Sequence, residues 1–307
     1  MKSPVSRRRE FLKAVLGSAV GAQVVFGQGP AAPIIATKLS DTLLVLAGDG
    51  GNVAVVIGDD GLMMIDGGLP ERSADLLKSV SPTDSHPVRV LFNTHWHFEN
   101  TGCNEALGKQ RAKIVAHENT KKWLSQKVTV EAIDRTFDPM AAAGWPTETF
   151  STGGKMIFGK ERIEYVHVPA AHTDSDAYVF FPGPNVIHAG DLFFNGLYPV
   201  IDYSTGGWVG GMAAACDTLS RVGDAKTRII PGHGPIATKA DLRNTRNMLW
   251  SVTRRLQEII KQEKNIDDAV RMVPTKDYDA KYGTGIFTPD TWVRIAYTTV
   301  VRHDKKS

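Results

Sequence analysis

Two histidines separated by one residue, His95 and His97, occur in the stretch THWHFENTG, which follows the apolar run VRVLF. In an extended chain alternate side chains share a face, so we expect His95, His97 and Glu99 on one face and Trp96 and Phe98 on the other. In a helix, residues i and i+2 point about 200° apart and cannot share an ion. Two converging imidazoles suit Zn²⁺, which takes nitrogen and oxygen ligands in tetrahedral geometry. Alone, such a pair is weak evidence for a metal site.

Three further polar residues strengthen the metal hypothesis. His172 lies in PAAHTDSD, a predicted loop between strands; Asp191 ends the strand-like NVIHAGD; and His233 lies in the glycine-flanked IIPGHG. Polar residues at successive strand ends meet at one edge of a layered fold, where sites usually form. Glycines next to two of these residues let the backbone approach a crowded centre.

The elements that must position these residues are short strands and a few helices. Turn signals such as GDGGN and GDDG separate the first apolar stretches, which predicts consecutive antiparallel strands. The strands are predicted at 42–48, 53–58, 62–66, 88–92 and 113–117, with an irregular segment at 129–149. More strands follow from KMIFG onward, then a helix near 210–222 and a long amphipathic helix over 241–262. Strands followed by helices, twice, predict two sheets packed face to face with helices outside.

The order and spacing of these motifs resemble the metallo-β-lactamase superfamily over roughly residues 39–237. The resemblance implies an α/β (α+β) fold, a four-layer αβ/βα sandwich of two mixed β-sheets with helices outside. It implies that His95, His97 and His172 form a first metal site. Asp191 would bridge to a second site that His233 helps to hold, and Asp66 in MIDGG would orient a ligand histidine from behind.

One departure from the superfamily motif concerns the second site. The motif has the form H-x-H-x-D-H, whereas this chain has Glu99 and Asn100 at the last two positions. Glu99 keeps a carboxylate and is predicted to bind metal or to accept a proton. For Asn100 two roles stay open: N-cap of a helix that begins at Thr101, or a contact to metal. We therefore expect one tight Zn²⁺ site and a weak or altered second site.

Asp176 lies four residues after His172 in the same predicted loop. Its carboxylate is expected either to orient His172 from behind or only to shape the turn, and Asp174 has the same two possibilities.

The N-terminus is typical of an export signal. Arg7, Arg8 and Arg9 precede a short Gly- and Ala-rich apolar run that ends near QGPAAP, and the paired arginines resemble a twin-arginine signal. The run is shorter than the roughly 20 residues that span a bilayer. We therefore predict a signal over residues 1–30, a periplasmic location and no stable membrane span once the signal is removed.

The remaining chain is predicted to hold one metallo-β-lactamase-like domain over residues 34–265 and a C-terminal helical extension over 266–307. The protein has 307 residues, 42% of them hydrophobic, with 36 basic and 33 acidic residues. Several of the basic residues lie in the predicted signal, so the body is nearly neutral and nucleic acid is not an expected partner.

The residues and the resemblance together predict a zinc-dependent hydrolase that acts on a small-molecule substrate. Asp191 would orient a metal-activated water, and Glu99 would accept its proton or serve as a variant ligand. Ester-, thioester- or lactam-like substrates are expected, and β-lactam hydrolysis is the favoured specific hypothesis. The alternatives are a non-catalytic exported module that binds metal or a partner, and an iron-dependent persulfide dioxygenase.

Overall fold

Two β-sheets pack face to face in the computed structural model, which describes residues 33–81 and 86–305. The first sheet has seven strands in the order β1-β2-β3-β4-β5-β6-β9. These strands are β1 Ile35–Lys38, β2 Leu43–Asp49, β3 Gly51–Ile57, β4 Leu62–Ile65, β5 Val88–Asn93, β6 Lys113–His117 and β9 Glu148–Phe150. Strands β1 to β4 are antiparallel neighbours, whereas β4, β5, β6 and β9 run parallel. The predicted antiparallel succession of the first strands is confirmed.

The second sheet has five strands in sequence order, and a separate hairpin follows β6. The strands of the sheet are β10 Gly153–Phe158, β11 Glu161–His167, β12 Ala177–Phe181, β13 Val186–Phe194 and β14 Arg228–His233. Every residue of β13 is buried, as expected for a strand covered on both faces. The hairpin consists of β7 Val128–Val130 and β8 Arg135–Phe137, which are antiparallel. The prediction of an irregular segment at 129–149 is therefore wrong in part, because three-residue strands give too little alternation to detect.

Helices cover the outer faces of both sheets. They are α1 Ser73–Val80, α2 Phe98–Thr101, α3 Asn104–Lys109, α4 Glu118–Leu124, α5 Val209–Ser220, α6 Lys239–Lys261, α7 Ile266–Arg271, α8 Asp279–Tyr282 and α9 Pro289–Asp304. Short 3-10 turns occur at Pro70–Arg72, Glu131–Ile133 and Ala142–Gly144. Helix α6 begins two residues before its predicted start, because Thr238 and Asp241 form a reciprocal capping box. In the described ranges, no helix is long and apolar enough to cross a membrane.

Three apolar clusters define the layers of the sandwich. Phe92 of β5 and Val179 of β12 meet between the sheets. Leu76 of α1 packs on the outer face of the first sheet, and Trp292 of α9 belongs to the cluster outside the second sheet. Non-directional apolar burial on both faces of each sheet stabilises this order of layers. The predicted four-layer αβ/βα sandwich is confirmed.

Two further predictions concern the ends of the chain. The predicted export signal over residues 1–30 lies outside the described residues. The segment after residue 265 is helical, and α9 packs against the same apolar cluster as α5 and α6. Cys103 and Cys216 are buried in different apolar clusters and are not joined by a disulfide.

Candidate metal centre

Strand ends from both sheets bring the predicted site residues to one edge of the sandwich. His95 and His97 follow β5, His172 lies in the loop between β11 and β12, and Asp191 lies within β13. His233 is the last residue of β14, which is parallel to β13. All five side chains are buried. Because β5 and β14 belong to different sheets, only the packing of the two sheets brings these side chains together.

The three histidines His95, His97 and His172 form a group in which one ligand atom from each lies within 4.8 Å of the others. Nε2 of His172 lies 2.9 Å from Nδ1 of His97. Three converging imidazole nitrogens are the donor set of many catalytic zinc sites. The group matches the first metal site that the resemblance implied.

The ring nitrogens that face away from this group each have a partner. Nδ1 of His95 lies 3.1 Å from Oγ1 of Thr94, and Nδ1 of His172 donates to the carbonyl oxygen of Val200 at 2.7 Å. Nε2 of His97 lies 3.1 Å from a carboxylate oxygen of Asp202. Such outer contacts fix the tautomer and orientation of ligand histidines, so all three rings are held with one nitrogen facing inward.

His97 lies between a second candidate ligand and a carboxylate. Its Nδ1 is 2.9 Å from Nε2 of His172, and its Nε2 is 3.1 Å from a carboxylate oxygen of Asp202. Burial alone lowers the pKa of His97, but the carboxylates of Asp202 and Glu99 outweigh it and raise this pKa to about 10. The same two carboxylates would stabilise a cation bound at His97.

Asp202 is the site residue that the sequence analysis missed. It follows β13 in the stretch YPVIDYST, 105 residues from the histidine it contacts. One oxygen accepts hydrogen bonds from the backbone N–H groups of Ser204 and Thr205, and the other accepts from the Thr205 hydroxyl at 2.6 Å. Although burial raises its pKa, the hydrogen bond from His97 holds the pKa of Asp202 below its ordinary value. The sequence did contain a signal for this residue, because Asp202 ends the apolar run YPVI and Ser204 and Thr205 follow shortly after it.

A second group consists of His95, Glu99 and Asp191, whose ligand atoms also lie within 4.8 Å of one another. Both oxygens of Asp191 and Oε2 of Glu99 are buried and accept no hydrogen bond. Oδ2 of Asp191 lies 3.4 Å from Nε2 of His233 and 3.6 Å from Nε2 of His172. Burial raises the pKa of Asp191, but His233 and the other imidazoles outweigh it and hold this pKa well below the ordinary value.

These carboxylate oxygens are the observation that tests whether a metal fits. Buried charged oxygens without partners cost several kcal/mol unless a cation or a proton compensates them. They point into a centre that already contains three imidazole nitrogens, so the residues present fit a divalent cation such as zinc. His233 contacts Asp191, but it belongs to neither of the two groups.

The chain is helical where the motif departs from the superfamily pattern. Helix α2 begins at Phe98 with His97 as its N-cap residue, and Asn100 lies inside it. The prediction that Asn100 caps a helix beginning at Thr101 is therefore wrong, and Glu99 reaches the site from a helical turn rather than from an extended strand. The amide nitrogen of Asn100 lies 3.3 Å from Nε2 of His95, so Asn100 contacts a candidate ligand directly.

Asp66 and Asp176 support candidate ligands indirectly, Asp66 through Thr94 and Asp176 through the backbone of the His172 loop. Asp66 accepts hydrogen bonds from the N–H and hydroxyl groups of Thr94, and that hydroxyl oxygen then faces His95. Asp176 accepts from the backbone N–H groups of His172 and Thr173 at 2.7 and 2.8 Å. Asp66 thus supports His95 through one intermediate residue, and Asp176 fixes the loop that carries His172.

Two glycines allow close approaches at the centre, Gly232 of β14 towards Asp191 and Gly190 of β13 towards Thr94. A Cβ on Gly232 would lie 2.0 Å from Oδ1 of Asp191, and a Cβ on Gly190 would lie 2.5 Å from the Thr94 hydroxyl oxygen. Gly190 also has a φ of +51°, which residues with a Cβ rarely adopt. Any larger residue would therefore displace either Asp191 or the support of His95.

The family model described as "Metallo-beta-lactamase superfamily" matches residues 46–240. The chain belongs to this superfamily. With the histidine-rich group described above, membership supports a metal-dependent hydrolase. No match was found among curated proteins.

Several solved structures share the fold at low sequence identity. A metallo-beta-lactamase from Pontibacter korlensis is 22% identical with a TM-score of 0.59, over 71% of this chain and 99% of that one. The DIM-1 metallo-beta-lactamase is 19% identical with a TM-score of 0.55, over 71% of this chain and 98% of that one. The stereoselective inverting sec-alkylsulfatase Pisa1 from Pseudomonas sp. is 15% identical with a TM-score of 0.65, over 87% of this chain and 50% of that one.

Proposed function

We propose that the protein is a zinc-dependent hydrolase that cleaves a small ester-, thioester- or lactam-like substrate, with β-lactam hydrolysis as the favoured specific activity. The observation that carries the proposal is the convergence of three oriented imidazoles on buried carboxylate oxygens without hydrogen-bond partners. This donor set suits zinc better than the hard, oxygen-preferring cations.

His95, His97 and His172 would hold the ion through their inward nitrogens. When bound, zinc supplies Lewis-acid chemistry that polarises a carbonyl and acidifies water. Asp191 stays ionised, because the neighbouring imidazoles outweigh its burial and lower its pKa, so its carboxylate can accept a hydrogen bond from a water molecule and orient it.

Glu99 is the proposed proton acceptor. Its Oε2 is buried without a partner and its Oε1 lies 3.7 Å from Nδ1 of His97, so one oxygen is free to take a proton at the centre. His233 lies beside Asp191 and would either bind a second ion or donate a hydrogen bond to the substrate. Glu99 would then pass the proton to the leaving-group atom as the scissile bond breaks.

We further propose that the protein acts in the periplasm after twin-arginine-type export, on a small-molecule substrate and without nucleic acid as a partner. The basic N-terminal stretch and the nearly neutral body of the sequence support this proposal.

A non-catalytic metal- or partner-binding module is the second candidate. It is favoured by one observation: Asn100, which stands at the motif's last histidine position, donates its amide toward His95 instead of offering an imidazole. A second ion site without its imidazole ligand would bind zinc weakly.

The test is a substrate screen with metal analysis of the same material. Protein purified without added metal is assayed for zinc, for nitrocefin turnover and for turnover of aryl esters, thioesters and a secondary alkyl sulfate, before and after chelation. The sulfate ester is included because of the named alkylsulfatase with the similar fold. Turnover that is lost on chelation and restored by zinc supports the proposal. Activity that survives complete removal of metal would overturn it, and metal binding without any turnover would favour the non-catalytic module.

A further inference from the structure

The hairpin of β7 and β8 packs directly on the histidine motif. Its buried residues Val128 and Val130 share an apolar cluster with Trp96, the residue between the two motif histidines. Arg135 pairs with Val130 across the hairpin, and Phe137 pairs with Val128. Side chains directly opposite each other in a ladder lie on the same face. Arg135 and Phe137 therefore start from the face of the hairpin that covers the motif.

The guanidinium of Arg135 lies over two aromatic rings next to the candidate ligands. Its Cζ is 4.2 Å from the ring centroid of Phe98 and 4.8 Å from that of Phe137, and the two rings stack at 5.0 Å. Phe98 is bonded to His97 on one side and to Glu99 on the other. A cation over an aromatic face is attracted by the ring quadrupole. The positive charge is thus fixed beside the metal motif while its N–H donors stay available.

Two neighbouring charges, those of Glu131 and Lys127, are each paired with an opposite charge. Glu131 accepts from both terminal nitrogens of Arg302, at 3.0 and 2.6 Å, and Lys127 lies 3.2 Å from Asp138. Among residues 33–81 and 86–305, no acidic side chain forms an ion pair with Arg135, and the residue is exposed. To shield the rings of Phe98 and Phe137 from water, the methylene groups of the Arg135 side chain would be enough, and no guanidinium would be needed. A planar five-donor cation held in place without an acid partner is suited to bind a carboxylate through two parallel hydrogen bonds.

We propose that Arg135 binds a carboxylate of the substrate while the scissile bond lies at the three-histidine group. The inference rests on the proposed hydrolase function and specifies its substrate class as anionic. Arg135 is then a specificity-determining residue, supplied by the hairpin inserted between β6 and β9.

The test compares two para-nitrophenyl esters of equal chain length, the half ester of glutaric acid and the ester of pentanoic acid. We expect Arg135→Gln to lower kcat/KM for the carboxylated ester roughly 10- to 100-fold, the range for losing hydrogen bonds to a charged group, mainly through KM. Turnover of the neutral ester should be unchanged. Arg135→Lys keeps the charge but cannot donate two parallel hydrogen bonds, so an intermediate loss of kcat/KM for the carboxylated ester is expected. The matched control is Arg162→Gln, because Arg162 is an exposed strand arginine with 63% side-chain exposure, on β11.

A binding measurement separates this inference from the hydrolase proposal. Titration calorimetry with glutarate on the zinc-loaded protein should give a dissociation constant that rises about tenfold or more in Arg135→Gln and is unchanged in Arg162→Gln. If the unmodified protein hydrolyses neither ester and still binds glutarate through Arg135, the anion site stands by itself, and the wider substrate screen decides the hydrolase proposal. Equal losses for both esters, no loss for either, or glutarate binding that is insensitive to Arg135 would overturn the inference.

Discussion

The two sides of the candidate metal centre differ in how their side chains are held. On the imidazole side, His95, His97 and His172 each have an outer partner that fixes the ring. On the carboxylate side, the oxygens of Asp191 and Oε2 of Glu99 are buried without a hydrogen bond. The first side is organised before any ion arrives, whereas the second leaves negative charge that a cation must compensate.

This difference explains how the departure from the superfamily motif can be tolerated. Of the two changed positions, Glu99 belongs to the carboxylate side, and Asn100 contacts the inward nitrogen of His95. The outer partners of the three imidazoles, Thr94, Asp202 and the carbonyl of Val200, lie at other positions, so these contacts do not depend on the two changed residues. We therefore expect the imidazole side to set metal affinity and the carboxylate side to set proton transfer and the occupancy of a second ion.

The largest expected effect is the loss of an imidazole ligand. His172→Ala removes one of the three inward nitrogens and should abolish stoichiometric zinc binding. Hydrolysis should fall on the order of a thousandfold, because the ion contributes several kcal/mol to the transition state. Elemental analysis and initial rates measure both effects. His303→Ala serves as the control, because this ring stacks on Trp208 and belongs to neither candidate ligand group. Normal zinc content in His172→Ala would refute the assignment of this histidine.

Removing an outer partner should have a smaller effect. Asp202→Asn keeps the shape of the side chain but replaces the carboxylate that faces His97, so zinc affinity should fall roughly 10- to 100-fold. Competition with a fluorescent chelator measures this affinity. The matched variant Asp217→Asn removes a carboxylate that binds Arg246 and Trp250 and should leave zinc affinity unchanged. Equal affinity in the Asp202 variant and the unmodified protein would mean that the imidazole side needs no such support.

The free energy of unfolding should fall at acid pH because of His188, which lies in β13 three residues before Asp191. His188 is buried and neutral, because desolvation lowers its pKa to about 4, and its Nδ1 accepts from the N–H of Gly190. The unfolded chain takes up this proton near pH 6.5 and the folded protein only near pH 4, so stability is full above pH 6.5 and declines as pH falls towards 4. Between pH 7 and 5 this group should cost roughly 2 kcal/mol.

Urea unfolding of metal-free protein at several pH values measures that loss. In His188→Asn the decline should be shallower by about one proton's contribution, since the amide can still accept from Gly190 and cannot titrate. His303→Asn, which changes a partly exposed residue, should keep the original slope. An unchanged slope in the His188 variant would contradict the assignment.

Restoring the motif should produce the smallest effect and act on the carboxylate side only. Asn100→His offers a fourth imidazole close to His95, so a second zinc equivalent should bind more tightly while the first is unchanged. Zinc titration of Asn100→His and of Asn100→Gln, which keeps an amide, checks this expectation. Two equally tight ions in the unmodified protein would remove the distinction between the two sides.

The sequence predicted the fold and the ligand histidines because both depend on local signals. Alternating apolar runs and glycine turns identified β2, β3 and β4, and the spacing of His95 and His97 identified the motif. Asp202 was missed because its partner is distant in sequence and only the packing of the loops brings them together. The short strands β7 and β8, and with them Arg135, were missed because their stability comes from packing on Trp96 rather than from their own pattern. The N-cap role predicted for Asn100 was wrong because α2 begins at Phe98, with His97 in the capping position.

The most direct test of the central claim is zinc stoichiometry combined with activity on one preparation, purified without added metal. We predict a single tightly held zinc equivalent, hydrolysis that disappears when this zinc is removed by chelation, and recovery in proportion to the zinc restored. Stoichiometric zinc that persists in a variant lacking His97, or hydrolysis by fully metal-free protein, would contradict the account.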